Sequence, residues 1–176
     1  IEAYKRVILL NPENADTFNN IGVAFKQQGK FDEAIESYKK SLSLKPDNAG
    51  VYYNLGFALR DNGKLNEAIQ AYKKSISLKP DYIDSYNNMG NILQDQGKFE
   101  KAIEVFIIAL SLNPDYAEGY FNIGSSLKGI TFNKTNPCLQ KIITSLLDKK
   151  TYVRPNDIRN AAMSLLKLEP KLYKYL

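Results

Sequence analysis

The sequence predicts an all-α solenoid (an α-solenoid) built from antiparallel helix pairs. Pro12, Pro46, Pro80 and Pro114 stand 34 residues apart. Gly22, Gly56, Gly90 and Gly124 keep the same interval, as do Gly29, Gly63 and Gly97, and Ala34, Ala68 and Ala102. A fixed period in this range marks a stacked repeat array, in which each unit buries its apolar face against its neighbours. Within each period the apolar residues recur at helical spacing.

One unit runs from Ala49 to Asp81. Tyr52, Leu55, Gly56 and Leu59 share one face of a first helix. Gly63 follows Asp61-Asn62 and reads as a helix stop, because glycine takes the left-handed conformation without penalty. Leu65, Ala68, Ile69, Tyr72 and Ile76 form the apolar face of a second helix. Lys79-Pro80-Asp81 ends it, since proline lacks the N–H and disfavours helix in the residue before it. Gly56 and Ala68 fall where the two helices cross closely, with Tyr52 and Tyr72 as the large partners.

The array is expected to fill residues 1–127: a half repeat 1–14, full repeats 15–48, 49–82 and 83–116, and the first helix of a fourth, 117–128. Ile1 opens partway through a repeat, so the chain is expected to be a fragment of a longer protein. Beyond Leu127 the pattern fails, with Thr131 and Asn136 where the turn glycine and the small residue would fall. Gly129 to Asn136 reads as a loop. Pro137, capped by Asn136, opens a helix with the stripe Leu139, Ile142, Ile143, Leu146 and Leu147. Asp148 to Val153 connects it to a helix opened by Pro155, with Ile158, Ala161, Ala162, Leu165 and Leu166 in phase. Glu169-Pro170 breaks that helix, and Lys171 to Leu176 adds a last turn. Residues 129–176 thus read as an atypical helical cap on the stack, or as an adaptor into a further domain.

Charge divides along the same line: residues 1–127 carry a net −2 and residues 128–176 a net +7. Neither a glycine-rich turn nor aromatic–basic interleaving accompanies the basic helices, and no nucleic-acid partner is expected. No apolar run approaches the ~18 residues that span a membrane. The chain has no histidine and a single cysteine, Cys138. That removes the commonest general base, most metal sites and any intramolecular disulfide. It also fits a reducing compartment, and the expected location is cytoplasmic. The glycines follow the repeat rather than a phosphate loop. Asp32-Glu33 lies at a helix start, where acids suit the dipole. No catalysis, metal or cofactor is expected of this chain.

The repeating residues resemble the tetratricopeptide repeat (TPR) family. Its pattern appears as Phe18, Ile21-Gly22, Phe25, Ala34, Tyr38, Ser41 and Pro46. It recurs as Tyr52, Leu55-Gly56, Leu59, Ala68, Tyr72, Ser75 and Pro80, and as Tyr86, Met89-Gly90, Leu93, Ala102, Phe106, Ala109 and Pro114. Tyr or Phe replaces the usual Trp, and Ser41 and Ser75 replace Ala. The resemblance implies a right-handed superhelix whose first helices line a concave groove. It also implies a protein-interaction scaffold that binds an extended peptide or flexible segment there.

On that groove face Asn20, Asn54, Asn88 and Asn122 fall one per repeat. Asparagine costs roughly 0.5 kcal/mol against alanine inside a helix. An amide offers both a donor and an acceptor, which suits a peptide backbone that loses its water partners on binding. Two plainer readings stand beside ligand contact: recent duplication, and amides bonding the adjacent helix. The ladder resembles that in the TPR superhelices of O-GlcNAc transferase-type glycosyltransferases, and by that resemblance the four asparagines are the foremost contacts. Their neighbours are Asn19, Tyr53, Asn87 and Phe121, then Val23, Phe57, Asn91 and Ser125, with Lys26, Arg60, Gln94 and Lys128 one turn on. Tyr53, Phe57 and Phe121 read as apolar pockets or as packing against the next repeat. Asp16, Gly50, Asp84 and Glu118 precede the asparagines by one turn. Three of these four are acidic and would repel a chaperone's terminal carboxylate, so a carboxylate clamp is not expected.

Two alternatives remain open. The segment from Tyr152 to Lys167 resembles bacterial TPR proteins that continue into a transferase domain, which implies a substrate-recruiting role. The half repeat at Ile1–Leu10 lacks its partner helix, which points to self-assembly through a homo-oligomer.

Overall fold

Residues 13–128, 130–131, 137–149 and 159–168 are described in the computed structural model of the chain. Among them the secondary structure is helix and turn, with no strand. The helices are α1 (Ala15–Gln27), α2 (Phe31–Leu44), α3 (Ala49–Asp61), α4 (Leu65–Leu78), α5 (Ile83–Asp95), α6 (Phe99–Leu112), α7 (Ala117–Leu127), α8 (Pro137–Lys149) and α9 (Arg159–Leu168). The fold is all-α, a succession of helix pairs. The half repeat at the start lies outside the described residues, as do the start of the helix expected at Pro155 and the last turn from Lys171.

Each turn between the helices of a pair is closed as the sequence predicts. Gly29, Gly63 and Gly97 have φ of 70, 75 and 70°. After α3, the N–H of Gly63 donates to the Arg60 carbonyl at 2.9 Å and that of Lys64 to the Leu59 carbonyl at 2.8 Å. These two bonds satisfy carbonyls that the helix end leaves without partners. No atom lies within 4 Å of a Cβ built on Gly63, so only backbone strain opposes a side chain there. Gly63→Ala should therefore cost about 1–2 kcal/mol, read as a lowered urea midpoint with unchanged helical circular dichroism. At the other end of each pair, Lys45 and Lys79 stand before proline in extended conformation, with φ of −138° in both. Asn14 and Asn48 cap α1 and α3, accepting from the Thr17 N–H at 2.9 Å and the Val51 N–H at 3.1 Å.

The chain divides into two units, Ile1–Ile92 and Leu93–Leu176. In the first, α1 packs on α2, α2 on α3, α3 on α4, and α1 also touches α3. Tyr38, Tyr72, Ala34 and Ala68 are completely buried at its centre, with Ile35, Val51, Leu55 and Leu59 around them. A Cβ added to Gly22 would sit 2.6 Å from Cε1 of Tyr38, and one added to Gly56 would sit 2.7 Å from Cε1 of Tyr72. Glycine is thus the mould for the ring of the second helix.

The serines that depart from the family's alanine have their own work. Ser41 Oγ donates to the Ala15 carbonyl at 2.8 Å, and Ser75 Oγ to the Ala49 carbonyl at 2.9 Å. Each hydroxyl fastens the second helix of a pair to the start of the first. Between pairs, the exposed Asp32 carboxylate accepts from Lys64 Nζ at 3.0 Å and from Asn62 Nδ2 at 2.8 Å. The Lys64 bond first, then that of Asn62, holds the Asp32 carboxyl below the usual carboxylate range.

In the second unit, Ala102, Ile103, Phe106 and Leu110 of α6 share one core with Tyr120, Ile123 and Leu127 of α7, Leu139 and Ile143 of α8, and Ala161 of α9. Leu139, Ile142 and Ile143 of the first predicted stripe and Ala161 and Ala162 of the second thus face the core, while Leu146, Leu147, Ile158, Leu165 and Leu166 lie outside the described side chains. α8 touches both α7 and α9.

Candidate functional site

The candidate contact residues of the first unit sit on α1, α3 and the part of α5 up to Ile92. These first helices approach side by side, and their polar residues meet across the gaps. Asn54 Nδ2 donates to Asn19 Oδ1 at 3.2 Å. Arg60 Nη1 donates to Asn88 Oδ1 at 2.9 Å, and Asn88 Nδ2 donates to the Asp84 carbonyl at 2.9 Å. Arg60 also pairs with Asp61, at 2.8 Å from Nη2 and 2.9 Å from Nε. Asn20 is exposed, and its amide makes no hydrogen bond among the described residues. The asparagines are therefore unequal: Asn20 is uncommitted, Asn54 uses one amide hydrogen, and Asn88 is held at both ends of its amide.

Phe57 is half-buried with two cations against it. Lys26 Nζ lies 4.6 Å from the ring centroid and Arg60 Cζ lies 4.4 Å from it, both within cation–π range. Tyr53 takes the packing alternative. Its ring stacks on Tyr82 at 5.1 Å and 27°, and meets Tyr72 at 6.0 Å and 52°. Burial, with smaller contributions from the charges of Tyr53 and Asp84, pushes the Tyr82 phenol above its ordinary value. Asn87 is only 5% exposed, and its neighbour Asn91 is half-buried. Both are engaged within the fold.

In the second unit Asn122 is 7% exposed and also engaged, while Phe121 beside it is 58% exposed. Gln94 Nε2 donates to Ser125 Oγ at 3.1 Å. Asp16, Asp84 and Glu118 are exposed. Among the described residues no three His, Cys, Asp or Glu side chains come close enough together to hold a metal ion. Nor is any helix there long and apolar enough to cross a membrane.

Two family models align with this chain. A TPR repeat model matches residues 24–59, 58–97 and 90–129, and a tetratricopeptide repeat model matches residues 3–36. The chain belongs to the tetratricopeptide repeat family. Solved TPR-like structures resemble it along much of its length. A crystal structure of MamA shares 27% identity and superposes with a TM-score of 0.69, covering 99% of this chain and 89% of that one. The first TPR of Spaghetti (RPAP3), bound to the HSP90 peptide SRMEEVD, shares 25% identity at a TM-score of 0.61, covering 64% of this chain and 89% of that one. The second TPR domain of human RPAP3, in complex with the HSP70 peptide SGPTIEEVD, shares the fold at 24% identity and a TM-score of 0.62, covering 65% and 95%. No curated protein matches the sequence.

The cross-repeat bonds of Asn54 and Asn88 and the setting of Phe57 escape a reading by period. Asn19 and Asn54 lie 35 residues apart and Arg60 and Asn88 lie 28 apart, so neither pair shares a phase of the 34-residue repeat. The capping asparagines carried a readable signal: Asn14 and Asn48 stand immediately before the first helical residue of their repeats.

Proposed function

We propose that this TPR chain is a protein-interaction scaffold that holds an extended peptide or flexible protein segment along the first-helix face of its repeats. One observation carries the reading: the row of amides on α1 and α3 keeps bonding capacity to spare. Asn20 has donor and acceptor uncommitted, and the Asn19–Asn54 pair spends one donor and one acceptor between them. Such groups replace the water that a peptide backbone loses on docking. The peptide complex of the RPAP3 TPR supports the mode of binding. The ligand differs from such a tail in one respect: Asp16 on α1 and Asp84 on α5 are exposed and disfavour a terminal carboxylate beside them. Residues 129–176 act as the cap of the array, and the role of the chain is binding rather than catalysis. A cytoplasmic location fits the single cysteine.

The test is a selection from a random peptide library on the purified chain, repeated with Asn20→Ala/Asn54→Ala. Both side chains lie off the core, so melting should be unchanged while affinity falls about tenfold or more. Equal binding by the two proteins would reject the asparagine row as the contact.

A further inference from the structure

We infer that the segment held on this face carries an acidic side chain, Asp or Glu, which seats beside Lys26 and Phe57. The inference rests on the peptide-binding reading above and names the ligand chemistry within it. Lys26 and Phe57 stand 31 residues apart, as do Gln94 and Ser125, and the two pairs occupy the same phases of the repeat. Each pair links one first helix to the next. In the second unit a neutral hydrogen bond of 3.1 Å does this. In the first unit an ammonium 4.6 Å from an aromatic centroid does it. Joining the helices therefore does not require a charge at this phase.

The charge of Lys26 is also uncompensated. Arg60 is matched by Asp61 at 2.8 Å, whereas Lys26 makes no ion pair among the described residues. Its contact with the Phe57 ring and its half-buried position strip away part of its water, which strengthens its attraction for an anion. Phe57 offers the adjoining apolar surface. Of the carboxylates nearby, Asp61 is spent on the Arg60 guanidinium at 2.8 Å. Asp16 is ten residues up α1, roughly 15 Å along the axis and beyond a Debye length. Asp84 sits across on α5 beside Asn88, one turn before it. The acidic group is thus placed towards Lys26 and away from the α5 side.

The experiment selects N-acetylated, C-amidated random dodecapeptides on the full chain and on Lys26→Gln, the residue that Gln94 shows to be compatible with the helix contact. Blocking the termini confines any acid to side chains. The expected result is one enriched Asp or Glu position on the wild type that disappears on K26Q. A selected peptide should lose about five- to tenfold in affinity on K26Q, and its Glu→Gln analogue less than twofold. Raised salt should weaken the acidic peptide alone. Selected peptides that depend on Asn54 but show no acidic preference, or that bind K26Q equally, would overturn this inference and leave the peptide-binding reading intact. Failure of the wild type to select any peptide would overturn both.

Discussion

Gly56→Ala is expected to lower the stability of the chain by about 2 kcal/mol, although alanine is the better helix former by about 1 kcal/mol. The new methyl would meet Cε1, Cδ1 and Cζ of Tyr72 at 2.7, 2.9 and 3.0 Å. The ring cannot swing aside, because it is completely buried. Either α3 and α4 separate or the ring leaves its rotamer, and both lose contacts throughout a close-packed interior. Gly22→Ala should behave alike against Tyr38, where the methyl would come within 2.6 Å of Cε1. A urea titration followed by circular dichroism measures the effect. A midpoint raised by either substitution would show that the helices have slack at this crossing and would refute the close-contact account.

The second large effect is alkaline unfolding governed by two tyrosines. Tyr38 and Tyr72 are completely buried, and neither hydroxyl has a hydrogen-bond partner among the described residues. Burial pushes the Tyr38 phenol up from 10.0 to about 12, and burial pushes that of Tyr72 higher still. Below pH 10 both folded and unfolded chains keep these protons, so this contribution to stability is flat. Above it the unfolded chain releases them first, and stability falls as the pH rises through the folded-state values. A proton held tenfold more tightly by the folded chain is worth about 1.4 kcal/mol, so Tyr38 alone removes on the order of 2 kcal/mol by pH 12. Tyr38→Phe/Tyr72→Phe should abolish that loss. At neutral pH it should also be neutral or stabilising by up to about 1 kcal/mol, since it deletes two hydroxyls that lack partners. The third repeat already carries the substitution in Phe106, which is equally buried. Urea midpoints at pH 7 and across the range above pH 10 provide the check. Parallel decline of wild type and double variant would contradict it.

Periodicity made the backbone legible. The positive φ of Gly63, the extended residue before Pro80 and the fit of Tyr72 over Gly56 each follow from one residue's stereochemistry repeated at 34. The core positions Leu139, Ile143 and Ala161 of α8 and α9 were readable because helical spacing needs no repeat. The surface was less legible. Whether Asn88 faces a ligand or a neighbour depends on how far Arg60 reaches from another helix, and Tyr53 chooses Tyr82 over solvent for similar reasons. Side chains of equal phase therefore meet unequal surroundings. Asn20 is exposed where Asn122 is buried, although both stand at the same phase. Ser41 and Ser75 show the same limit: as departures from the family's alanine they look mild, yet each supplies a bond.

Those two serine bonds have a consequence for how such a chain lengthens. Ser41 reaches Ala15 and Ser75 reaches Ala49, so each fastening closes inside its own unit of sequence. A duplicated segment brings its clasp with it, and the second bond of Ser75, to Ser85 of the next unit at 2.9 Å, is an addition that Ser41 does without. Unit number can then change by whole-segment gain or loss, and the reach of the array becomes a heritable trait set by copying rather than by point substitution.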